Sequence, residues 1–158
     1  MDTQLDIGTV CLLGFAGAVA VTDLRTRRIP NRLTVAAAAT ALALAVVRAG
    51  WQGAFVSAAG VLIGLVLFLP LCLAGKLGAG DVKAMAAVGA FLGPVSVLLA
   101  AVCTLMAGAM VAAIVLVSWH WRAQRSPDTG KHAYPRRQRD LPYGVAIACG
   151  TLASIVLR

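Results

Sequence analysis

Long apolar runs dominate this chain, and its charge is confined to a few short clusters between them. The runs cover roughly residues 5–22, 33–47, 54–75, 82–93, 95–118 and 141–157. Most are near the ~17–25 residues that a helix needs to cross hydrocarbon. The pattern predicts an all-α membrane protein, a polytopic bundle of six transmembrane helices forming one domain over residues 1–158. The second and fourth runs are short, and Gly93-Pro94 cuts off the fourth. They are expected to extend into flanking polar residues or to cross a thinned region. The longest polar stretch, 119–140, is expected to be a basic loop within the domain.

Composition agrees: 60% of residues are hydrophobic and 13% charged, where a soluble domain keeps about a quarter charged. A net charge of +8 would raise nucleic-acid binding in a soluble protein. Here the basic residues flank apolar spans and lack interleaved aromatics, so no nucleic-acid partner is expected. Topology accounts for them. With the N-terminus outside, twelve of the fourteen Lys and Arg residues fall on the cytoplasmic side, leaving only Arg48 and Arg158 outside. Anionic headgroups are the natural partners of Arg27, Arg28, Arg136, Arg137 and Arg139, which makes membrane lipids an expected partner. The first run follows Asp2 and Asp6 where a signal peptide would carry Lys or Arg, so it reads as a retained helix.

Cys11, Cys72, Cys103 and Cys149 lie far apart in apolar runs with no C-x-x-C spacing. They read as small hydrophobes buried between helices, and neither a disulfide framework nor a metal site is expected. Trp119 and Trp121 flank His120 where a span meets the basic loop and read as interfacial anchors, with His120 and His132 as ordinary loop histidines. Gly60 with Gly64, and Gly89 with Gly93, are small-xxx-small patterns that allow close helix packing.

The chain has no Glu, and its six Asp are Asp2, Asp6, Asp23, Asp81, Asp128 and Asp140. Asp23 and Asp81 stand out because each sits at the cytoplasmic end of a span, where an ionisable residue is a functional candidate. The alternative is a capping or charge-balancing role for each. Around Asp81, Gly78-Ala79-Gly80 lets the backbone turn tightly before the aspartate starts a helix. A phosphate cradle is the weaker reading of that loop, since no strand precedes it and an Asp occupies the anion's place.

The segment Asp23-Leu24-Arg25 followed by Ile29-Pro30-Asn31, with Gly78-Ala79-Gly80-Asp81-Val82-Lys83 later, resembles the type IV prepilin peptidase family. Leu141-Pro142-Tyr143-Gly144-Val145-Ala146 resembles the start of that family's last helix. The resemblance implies a GxGD-type aspartyl protease in the bacterial inner membrane. Such an enzyme removes the short basic leader of a pilin or pilin-like precursor at the cytoplasmic face. It makes Asp23 and Asp81 the catalytic pair, with Arg25, Ile29, Pro30, Asn31, Gly78, Gly80 and Lys83 as supporting or substrate-binding positions, and no cofactor or metal. Larger bifunctional members carry an N-methyltransferase region with a cysteine-rich insertion that has no counterpart here. The chain resembles the short, peptidase-only branch, such as that of tight-adherence (Flp) pili.

Two neighbouring carboxylates favour a state in which one is ionised and the other protonated. The ionised one activates a water for attack on the scissile carbonyl, while the other supports the oxyanion and protonates the leaving amine. The dipole at a helix start points to Asp81 as base, while Arg25 and Lys83 act on both, so the order within the pair stays open. Two rival classes remain: a small transporter or proton conductor using the same aspartates, and a non-catalytic scaffold of a pilus or secretion assembly.

Overall fold

A computed structural model describes residues 6–26, 29–75, 77–125 and 143–156, and these described residues form four helices. They are α1 (Ile7–Thr26), α2 (Asn31–Leu73), α3 (Ala79–Arg125) and α4 (Tyr143–Val156). Among the described residues, three stretches, Ile7–Thr26, Asn31–Leu73 and Ala79–Ser118, are long and apolar enough to cross a membrane, and Gly144–Val156 is a shorter apolar helix.

α2 and α3 have 43 and 47 residues, which at 1.5 Å per residue would make straight rods of roughly 65–70 Å. Neither is straight. α2 breaks at Ala49 and Gly50, and α3 at Gly93 immediately before Pro94. Gly50 (φ 54°) and Gly93 (φ 77°) occupy the positive-φ region that glycine enters without steric cost. At each break the chain folds back. A Cβ on Gly53 would lie 2.0 Å from the Ala45 carbonyl oxygen, and one on Gly89 would lie 3.2 Å from Val97 Cγ2. Residues eight apart in a continuous helix are separated by about 12 Å, so these contacts require a reversal. The described residues thus contain six helical stretches. The two short runs lengthen as expected, the second starting at Asn31 and the fourth at Ala79.

The first break packs beside the start of α1, where Arg48 pairs with Asp6 over the backbone of Gly8. The small-residue patterns meet one another. Gly60 and Gly89 pack backbone to backbone, each placing a missing Cβ 2.0–2.2 Å from the other's carbonyl oxygen. Only Cα–H···O contacts fit in that space. One turn away Gly64 lies against Met85, and Ser57 Oγ donates to the Ala90 carbonyl at 2.9 Å. The start of α3 is consequently buried on every side over residues 84–90. Around it pack Leu12, Phe15, Val19, Phe68, Val97 and Ile147. Large apolar side chains such as Val47, Trp51, Phe55, Leu73 and Val95 point outward, as suits a surface solvated by lipid.

Two local expectations change. α3 runs to Arg125, so residues 119–125 are helical. Ala, Gln and Arg are good helix formers and carry the helix beyond its apolar run. The rest of the expected basic loop, with Arg136, Arg137, Arg139 and His132, lies outside the described residues, as do Arg27, Arg28 and Lys76. The cysteines are not buried as expected: Cys11, Cys72 and Cys103 are half-buried and Cys149 is exposed. A thiol facing lipid forfeits little, because it behaves there as a small hydrophobe.

Candidate active site

The end of the assembly away from the Arg48–Asp6 pair gathers the sequence motifs. α1 extends past the apolar run to Thr26, which puts Asp23 in its last turn, 8% exposed. Thr22 turns its hydroxyl back to donate to the Ala18 and Val19 carbonyls at 2.7 and 3.0 Å. Asp23 continues the buried stripe of Leu12, Phe15, Ala16 and Val19, so the same face that packs α1 carries the carboxylate inward. Its Oδ2 accepts the backbone N–H of Gly144, the second residue of α4, at 2.7 Å. Gly144 approaches so closely that a Cβ there would lie 2.6 Å from Asp23 Cβ.

Asp81 is placed by local structure. α2 ends at Leu73 with Gly75 at φ 72°, the usual glycine beyond a helix C-terminus. Gly78 then starts α3: its carbonyl accepts the N–H groups of Asp81 and Val82 at 3.1 and 3.4 Å. Asp81 reaches back from the third helical position, and its Oδ2 accepts the Gly78 N–H at 3.2 Å. That is the returning half of a capping box. The capping role foreseen as an alternative is therefore present, and it uses Oδ2. The Asp81 carboxylate lies within range of the charge on Asp23.

The supporting residues converge on the same place. Pro30 is the residue before α2, extended at φ −63° and ψ 131°, and its carbonyl accepts from Leu33 and Thr34. Ile29 packs on Gly80, where a Cβ would lie 3.2 Å from Ile29 Cβ. Lys83 Nζ donates to Asn31 Oδ1 at 2.9 Å, joining the two motifs across 52 residues. Arg25 is exposed in the last turn of α1, where a cation suits the helix dipole.

Gly144 was absent from the expected site residues. Its signal lay in the segment around Pro142-Tyr143-Gly144, but spacing alone does not pair a position with Asp23. Among the described residues no three His, Cys, Asp or Glu side chains cluster as metal ligands would. An open apolar recess of about 280 Å³, walled by Phe15, Ala18, Leu33 and Phe91 among others, contains no carboxylate.

Apolar helices with two acids drawn together at one end define an α-helical membrane protein with its ionisable site at the helix termini. Residues 10–117 match the model of the type IV leader peptidase family. That match takes in more than half of the chain, both aspartate motifs included, and the chain belongs to this family. It is a membrane-embedded peptidase of the leader-peptidase kind. No curated protein and no solved structure matches it.

Proposed function

We propose that this protein is an aspartyl endopeptidase of the bacterial inner membrane that cleaves the short basic leader from pilin-like precursors. Asp23 and Asp81 are its catalytic residues, and water is the nucleophile. The supporting observation is that two aspartates 58 positions apart in sequence end within range of each other's charge at one end of the fold. In such a pair the ionised carboxylate takes a proton from water as it attacks the scissile carbonyl. The protonated partner stabilises the oxyanion and then delivers its proton to the departing amine.

The six helical stretches are six crossings in this reading, with the N-terminus and the Arg48–Asp6 pair outside and the aspartates near the cytoplasmic face. The distribution of Lys and Arg supports that orientation. The precursor's own apolar helix enters from the bilayer and presents its leader junction to the aspartates. Cleavage without methylation is expected, as in the short branch of the family.

Co-expression of a pilin-type precursor with wild type, Asp23→Asn or Asp81→Asn tests the assignment. Mature product is expected only with wild type. Normal processing by either variant would overturn it, and loss of processing on adding a chelator to the purified protein would point to a metal-dependent reaction instead.

A further inference from the structure

Gly144 lies beyond the residues matched to the family, on a helix that contributes neither aspartate. We infer that the Gly144 backbone N–H is a positioning group that fixes the Asp23 carboxylate for catalysis, and that the start of α4 is therefore part of the active site. The inference rests on the peptidase reading and deepens it.

Two features of this contact carry it. The first is the hydrogen bond itself, 2.7 Å from Gly144 N to Asp23 Oδ2 and buried. The first N–H groups of a helix have no partner within the helix, so the N–H of the second residue of α4 must find an acceptor outside it. Asp23 has the complementary difficulty: it sits in the last turn of α1, where the helix dipole disfavours negative charge. Abutting the two termini lets the start of α4 satisfy the carboxylate and the carboxylate satisfy α4. The second observation is the clearance. A Cβ at 144 would stand 2.6 Å from Asp23 Cβ and 2.9 Å from its Cγ, so only glycine lets the two backbones come this close.

The consequence is rotational. With Oδ2 engaged, the torsions of Asp23 are restricted, and its other oxygen is left to meet water, substrate or Asp81. Without the N–H, the carboxylate in the last turn of α1 can turn away from the reacting atoms, and a displacement of about 1 Å at such a centre costs on the order of a hundredfold in rate.

The test keeps the full chain and separates this inference from the peptidase reading. In NMR of the detergent-solubilised, 15N-labelled protein, the Gly144 amide should lie downfield. It should move upfield in Asp23→Ala while keeping its position in Asp81→Ala; an unchanged Gly144 resonance in Asp23→Ala would overturn the inference whatever the protein cleaves. A semisynthetic chain with glycolate at 144 replaces the N–H by an ester oxygen and adds no side chain. Its kcat on a pilin-type precursor is expected to fall about tenfold to a hundredfold with KM within about twofold of wild type. Gly53→Ala is the packing control, because its Cβ would strike the Ala45 carbonyl oxygen at 2.0 Å, at the break in α2 and at the end of the fold away from both aspartates and from the start of α4. It should lower thermal stability while the folded fraction keeps wild-type kcat. Wild-type kcat in the ester chain, or a loss merely tracking lost stability as in Gly53→Ala, would overturn the inference. If wild type cleaves no precursor, the peptidase reading fails while the NMR result still decides the contact.

Discussion

Asp23 and Asp81 reach the same end of the molecule by different means. The Asp81 carboxylate is held by an N–H three residues before it in the same helical turn. That of Asp23 is held by an N–H 121 residues later, on the last helix. Asp81 is half-buried and keeps its place as long as its own helix start survives, whereas Asp23 is buried and keeps its place only while α1 and α4 stay packed. Disturbance of the packing should therefore reach the pair through Asp23 first.

The largest effect expected is removal of either acid. Asp23→Asn and Asp81→Asn should each lower kcat by about 10²- to 10⁴-fold, the range for loss of a general acid or base, read as precursor cleavage by purified protein. The two glycines that serve these acids offer a sharper contrast. At Gly78 a Cβ would lie 3.0 Å from Asp81 Oδ2, the rotatable end of a side chain, whereas at Gly144 it meets the Cβ of Asp23. Gly144→Ala is expected to lose about a hundredfold in kcat, and Gly78→Ala distinctly less. Equal losses would show that the two acids are held alike.

A smaller effect is expected at the bridge between the motifs. Asn31→Ala and Lys83→Met should each destabilise the protein by about 0.5–1.5 kcal/mol. Their double-mutant cycle should show a coupling below about 1 kcal/mol, since both residues are exposed. Thermal unfolding in detergent is the measurement, and zero coupling would mean that the bond contributes nothing in solution. Smallest of all should be Arg48→Ala at the opposite end, which costs at most about 1 kcal/mol for a solvent-accessible ion pair. Cleavage per folded molecule should not change; a drop there would show that the two ends are coupled.

Much of the architecture is legible in the amino-acid sequence. Each fold-back occurs at a glycine where an apolar run stops: Gly50 beyond the end of the second, and Gly93, before Pro94, at the end of the fourth. The patterns Gly60 with Gly64 and Gly89 with Gly93 announced close packing, although only the fold reveals that Gly60 faces Gly89. The extension of α3 through Trp119 to Arg125 was hidden because hydropathy ends where lipid ends, while helical hydrogen bonding does not. Gly144 was hidden for another reason: a glycine at a helix start has many local uses, and nothing in its neighbours names a partner on α1.

The sequence by itself determined what depends on a few adjacent residues. It set which stretches prefer lipid, where glycine permits a reversal, and how Asp81 closes the turn that begins α3. Those outcomes follow from hydropathy and from hydrogen bonds spanning three or four positions. Only the tertiary structure decided the rest: that Gly144 reaches Asp23, that Ile29 settles on Gly80, and that Lys83 finds Asn31. These contacts join residues 51 to 121 positions apart. Their partners are selected by which helices can approach closely through small residues, a property of pairs of helices that no single segment carries.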